Sequence, residues 1–201
     1  MQALLAVSRR IDAVTAFIGH QVRWLILVAI IVSAGNAIIR KAFDSSSNAW
    51  LELQWYLFGA VFMFAAAYTL QRNAHIRIDV ISAHLKKRTR DWIDLFGHIV
   101  FLLPFVLMML WLCVPFALES YQSQEMSTNS GGLIVWPAKT TILIGFILLL
   151  AQAISEIIKR IAILGGFMED PHEQLHIPVA LEPQLSAAGR NPDGPDAGDV
   201  R

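Results

Sequence analysis

Apolar residues gather along this chain in four blocks, Trp24 to Ile39, Ala49 to Leu70, Trp92 to Phe116 and Leu133 to Ile158, separated by charged and turn-forming stretches. A bilayer core about 30 Å thick needs roughly 20 predominantly apolar residues per helix, and each block approaches or meets that length. A helix in a soluble bundle keeps a polar stripe for water, yet "AVFMFAAAYTL" and "IVFLLPFVLMMLWLCVPF" are apolar on every face. The pattern predicts an all-α membrane protein with four transmembrane helices.

Two flanking segments carry a different period. Leu4, Val7, Ile11, Val14 and Phe17 recur every three or four residues while Arg9, Arg10 and Asp12 take other faces, which predicts an amphipathic interfacial helix over 1–22. Its basic residues do not precede an apolar core at the start of the chain, as a secretory signal requires, so an uncleaved, cytoplasmic start is expected. After the second block, Asp79 is placed to cap a short cytoplasmic arm helix over Val80 to Thr89 that carries Lys86, Lys87 and Arg88. The division expected is therefore 1–22 as interfacial helix, 23–163 as transmembrane domain and 164–201 as tail. Pro171, Pro178, Pro183, Pro192 and Pro195, with Gly and Asp, predict disorder over most of that tail.

Composition adds little except through the placement of charge. The chain has 16 Lys plus Arg and 16 Asp plus Glu in 201 residues, so its net charge gives no reason to invoke nucleic acid. Arg9, Arg10 and Arg23 precede the first block, Arg72, Arg77, Lys86, Lys87, Arg88 and Arg90 fill the second connection, and Lys159 and Arg160 follow the fourth; only Arg40, Lys41 and Lys139 lie opposite. The positive-inside rule then places both termini and the middle loop in the cytoplasm. Trp24, Trp50, Trp92 and Trp136 fall near block ends, as headgroup-layer anchors should. The single cysteine, Cys113, excludes an intramolecular disulfide and a Cys-x-x-Cys site.

Ionisable residues at membrane depth are the first candidates for function. His98 is suited to haem ligation or proton relay, but the other histidines fall in interfacial or loop positions, and an imidazole hydrogen-bonded across a helix interface explains it as well. Glu52, early in the second block, is expected to pair with Arg40 or Lys41 across the outer side, and Glu156 with Arg160 one helical turn on. Asp91 and Asp94 suit the positive end of the third helix. Pro104 and Pro115 are expected to kink that helix. No Gly-rich phosphate loop, His-Glu-x-x-His motif or nucleophile with a general base is present, so no catalytic residue, metal or cofactor is assigned.

Two long stretches resemble a known family: "NAIIRKAFDSSSNAWLELQWYLFGAVFMFAAAYTLQRNAHIRIDV" and "NSGGLIVWPAKTTILIGFILLLAQAISEIIKRI". Arg40, Phe43, Ser47, Trp50, Glu52, Leu57, Phe58, His75, Arg77 and Asp79 stand in the order and spacing of the small permease (Q) subunit of tripartite ATP-independent periplasmic (TRAP) transporters, and the wording is most similar to the mannitol, chloroaromatic or 2-oxo acid branch. Gln54 departs from the pattern where many members carry a second acidic residue. The resemblance implies a noncatalytic multi-pass subunit of the bacterial inner membrane. It would scaffold a large permease (M) subunit that holds the sodium and organic-acid sites, and would work with a periplasmic substrate-binding protein. Arg40, Trp50, Glu52, His75, Arg77 and Asp79 become candidates for structural, partner or lipid contacts. The alternative reading, a four-helix redox anchor binding haem, rests on His98 alone.

Overall fold

The computed structural model describes residues 1–44, 47–72 and 87–168. Helix α1 runs Gln2–Phe43, α2 Asn48–Gln71 and α3 Lys87–Gly97; a π-helical turn at His98–Leu102 leads into α4, Leu103–Ser123, and α5 runs Trp136–Leu164. Helices α1, α2 and α5, together with the continuous run Arg88–Ser123, are long and apolar enough to cross a membrane. His75, Arg77, Asp79 and most of the expected arm helix lie outside the described residues, as does the tail from 169 onward.

The bundle is apolar on the outside. Trp111 is 82% exposed, Phe43 76% and Phe62 74%, while the buried set contains Ser8, Thr15, Asn36, Glu52, Gln152, Glu156 and Arg160. In water so much exposed apolar surface would drive aggregation, whereas lipid supplies its natural solvent. The fold is an all-α membrane protein.

No break separates the expected interfacial helix from the first span: α1 is one helix of 42 residues. Its buried residues are Ser8, Thr15, Val22, Ala29 and Asn36, each seven positions after the last. A strict seven-residue line keeps facing its neighbours along a left-handed superhelical path, and small side chains on it let backbones approach. The stripe at Leu4, Val7, Val14 and Phe17 is exposed, as are Arg9 and Arg10, while the small polar residues Ser8 and Thr15 pack inward. Tertiary contacts, rather than amphipathicity alone, thus carry the helix through residue 22.

Helix α5 packs against α1, α2, α3 and α4. Two close approaches show how. A Cβ on Gly145 would lie 2.7 Å from both Cβ and Cε of Met63, so α2 and α5 meet through a hydrogen atom. On the other side Val106 and Cys113 of α4 pack on Phe146, surrounded by Met109, Leu110, Ile142 and Leu149. The π turn has a local cause in Pro104, which has no N–H and whose ring crowds the carbonyl four residues back. Leu103 N–H instead reaches the carbonyl of His98, five residues back.

Candidate functional site

Polar groups concentrate at the two ends of the bundle. At one end Glu52, on the second turn of α2, reaches into the loop between α4 and α5. Its Oε1 accepts from Ser127 Oγ and from Asn129 Nδ2 at 2.8 Å, and its Oε2 accepts from Leu133 N at 2.6 Å. Ser127 N donates to Leu133 O at 2.9 Å, which closes the loop into a narrow turn. Gly132 is required there, since a Cβ would meet Ser127 Cβ at 2.6 Å and Glu52 Oε1 at 2.7 Å. Asn48 Nδ2 donates to Ser130 O at 2.8 Å, a second tie from the start of α2.

The same loop is held from its other stem. Gln124 ends α4 in the left-handed conformation, φ 49°, and Glu125 then accepts from Ser120 Oγ at 2.7 Å and from Lys139 Nζ at 2.5 Å. Those bonds, that of Lys139 first and that of Ser120 next, hold the Glu125 carboxyl below the usual carboxylate range against the opposing cost of burial. Lys139 Nζ also stands 4.1 Å from the Phe116 ring centroid.

At the other end α5 carries Gln152, Ser155, Glu156, Lys159 and Arg160 into the helix interfaces. Asp12 of α1 accepts from Gln152 Nε2 at 2.9 Å and Ser155 Oγ at 2.8 Å, and Lys159 Nζ lies 3.2 Å from its Oδ2. Ser155 spends its one hydrogen on Asp12, so Ser8 Oγ donates to Ser155 Oγ at 2.7 Å. Glu156 accepts from Gln152 at 2.9 Å and from Lys159 at 2.5 Å. Helix α2 joins through Gln71 Nε2, which donates to the Asp12 carbonyl at 2.9 Å. On the far side of α5, Arg160 Nη1 donates to Asp91 Oδ1 at 2.8 Å and Nη2 approaches Asp94 Oδ2 at 3.2 Å.

Three sequence-based pairings are corrected by this geometry. Glu52 is taken up by the loop rather than by Arg40 or Lys41, both of which are exposed at the C-terminal end of α1. Glu156 pairs with Lys159, because Arg160 points to α3. Asp91 and Asp94 hold Arg160 instead of serving the N-terminus of their own helix. His98 Nδ1 donates to the Asp94 carbonyl at 2.6 Å and His20 Nδ1 to the Ala16 carbonyl at 2.6 Å, each within its own helix, and nothing supports haem ligation. Trp50 is exposed at the Glu52 end. Asp12, Gln152, Ser155 and Lys159 were missed as a cluster. The signal was available, since polar residues at 152, 155, 156, 159 and 160 recur at helical spacing inside an apolar block.

Among the described residues no group of three or more His, Cys, Asp or Glu side chains is arranged to hold a metal ion. Each carboxylate of the two clusters is engaged by N–H or O–H donors, many of them from another helix. Such a site ties helices together; it presents no activated nucleophile. The model of the family described as tripartite ATP-independent periplasmic transporters, DctQ component, matches residues 27–162. The chain belongs to that family. No curated protein and no solved structure matches it. The matched segment takes in the Glu52 cluster and every α5 residue of the Asp12 and Arg160 clusters, while Asp12 itself lies before it. As a DctQ component the chain is a small membrane subunit of a TRAP transporter, a system in which such subunits work with a large permease and a substrate-binding protein.

Proposed function

We propose that this DctQ component is a noncatalytic scaffold and membrane anchor for a large permease subunit that imports small organic acids with sodium. The observation that carries the reading is where the bundle spends its polar groups. They cross-brace α1, α2, α3 and α5 at one end and α2 with the α4–α5 loop at the other. Between these layers the helix contacts are made by Ala29, Met63, Val106, Cys113, Gly145 and Phe146. A body braced at both ends and packed with small and apolar residues between is suited to stay still while another subunit moves. Substrate and sodium sites then belong to the large subunit, and the periplasmic substrate-binding protein delivers the acid.

The charge distribution supports cytoplasmic termini, with the Asp12 and Arg160 end inward and the Glu52 loop outward. Exposed Arg9, Arg10, Arg72 and Arg88 at the inner end suit contact with anionic lipid headgroups. The wording of "SNAWLELQWYLFG" and "GGLIVWPAK" favours the mannitol, chloroaromatic or 2-oxo acid branch. Affinity purification of the tagged chain co-expressed with its large permease tests the assignment: the two subunits are expected to elute together in mild detergent. Recovery of the chain alone, with the large subunit folded and present in the same membranes, would refute it.

A further inference from the structure

Gln152 is fully buried on α5, and both hydrogens of its amide are used: Nε2 donates to Asp12 Oδ1 and to Glu156 Oε1, each at 2.9 Å. Two acceptor-only carboxylates fix which way the amide lies, since the flipped group would turn its oxygen on both of them. Its Oε1 is buried, and no donor among the described residues reaches it. Gln71 of α2 repeats the arrangement. Its Nε2 donates to the Asp12 carbonyl at 2.9 Å, which fixes that amide too, and its Oε1 is likewise buried without a donor. Two orphaned amide oxygens thus belong to side chains held on one residue of α1, one from each helix, α2 and α5, that packs along it.

The donors close by are engaged elsewhere. Ser155 Oγ gives its hydrogen to Asp12 Oδ1 at 2.8 Å, Ser8 Oγ gives its own to Ser155, and Lys159 Nζ faces Asp12 and Glu156. Backbone N–H groups here lie inside helices and bond along them. A buried amide oxygen without a donor is costly enough that native interiors almost always supply one, from protein or from ordered water. The partner must bring hydrogens and fit a packed helix interface. A cation also binds oxygens, but Lys159 already holds the place between the two carboxylates, where a second positive charge would be repelled. The Asp12 side chain is 22% exposed, so the cluster reaches the surface at this end of the bundle and water has a way in.

We infer that ordered water is built into the helix interfaces beside Asp12, donating hydrogens to Gln152 Oε1 and Gln71 Oε1. Buried waters of this kind typically make about three hydrogen bonds to polar groups that the protein leaves unpaired, and polar positions in membrane helices recruit them in the same way. Water is then a component of the brace. It lets both amides keep their nitrogens on Asp12 without leaving an oxygen bare in the interior.

The test uses the isotope-labelled full-length chain in lipid bilayers and solid-state NMR in which magnetisation starts on water and is followed into the side chains. The Gln152 carboxamide carbon should gain water magnetisation several-fold faster than Ala153 and Val106, which are equally buried and apolar. Build-up at Gln152 as slow as at Ala153 overturns the inference. Because the Lys159 ammonium exchanges with water and could relay magnetisation, crystals of the same chain grown from lipid give a second reading. A map at better than about 2 Å should hold a peak about 2.8 Å from Gln152 Oε1. Ordered Gln152 and Gln71 side chains with no such peak would overturn the inference, as would amides rotated so that each Oε1 meets a protein donor. A peak about 2.4 Å from Oε1 and ringed by six or more oxygens would be a metal cation, and would overturn it as well.

Discussion

Asp12 and Lys159, 147 residues apart in the chain, meet at 3.2 Å where α1 crosses the polar end of α5. Lys159 also binds Glu156 and so neutralises part of two carboxylates that are largely removed from solvent. Removing it leaves both facing each other.

Lys159→Met should therefore destabilise the bundle by about 3 kcal/mol, in the range found when one partner of a buried pair is deleted. Adding Asp12→Asn to Lys159→Met should restore part of that loss, because the remaining Glu156 keeps its bond from Gln152. Thermal unfolding of the purified protein in detergent measures both. Equal stability of Lys159→Met and wild type would show that the cluster is solvated and contributes no bracing.

How far this was legible in the sequence depends on the reach of each interaction. Four spans followed from apolar run length, which is a local property, and the family pattern covered the stretch that includes Glu52. Long-range pairing was not legible. Arg40 and Lys41 looked like partners for Glu52 because they precede it closely, but α1 overshoots the start of α2 and the α4–α5 loop, 75 or more residues away, supplies the donors. Likewise Glu156 and Arg160 have ideal spacing for an ion pair, yet position 160 turns toward α3 and position 159 toward α1.

Glu52 organises the α4–α5 loop through three donors. In Glu52→Gln an N–H₂ group would face one of them, and in Gly132→Ala the new methyl would displace Ser127 or Glu52 itself. Both variants should speed hydrogen exchange and proteolysis across Ser127 to Leu133 while the helical signal stays unchanged. A loop as protected as wild type in both would remove the carboxylate from its organising role.

The Glu125–Lys139 bridge has a defined pH response. A folded-state pKa held below 4.5 means the bridge contributes fully above the unfolded value and is lost as pH falls through the lowered folded value. The stem of the loop should thus be unchanged between neutral pH and the ordinary glutamate value of 4.5 and loosen only below it. Hydrogen exchange at Val135, whose N–H donates to the Glu125 carbonyl at 2.9 Å, and at Glu125, whose N–H donates to the Ser120 carbonyl at 3.2 Å, follows this directly. Glu125→Gln should abolish the acid transition there, and persistence of the transition would assign it to another group.

Gly145 tests the close α2–α5 contact. Gly145→Val places side-chain atoms against Met63 and should cost about 1–3 kcal/mol, the usual range for overpacking. Gly145→Val combined with Met63→Ala should recover stability. Failure of the second change to help would mean that the helices separate at that point in the membrane.

The central claim, that this chain supports transport without performing it, is tested most directly by uptake of a radiolabelled organic acid into liposomes under an inward sodium gradient. The predicted result is uptake when chain, large permease and binding protein are all present, and none above empty liposomes with the purified chain alone. Sodium-driven uptake by the chain alone would contradict the account.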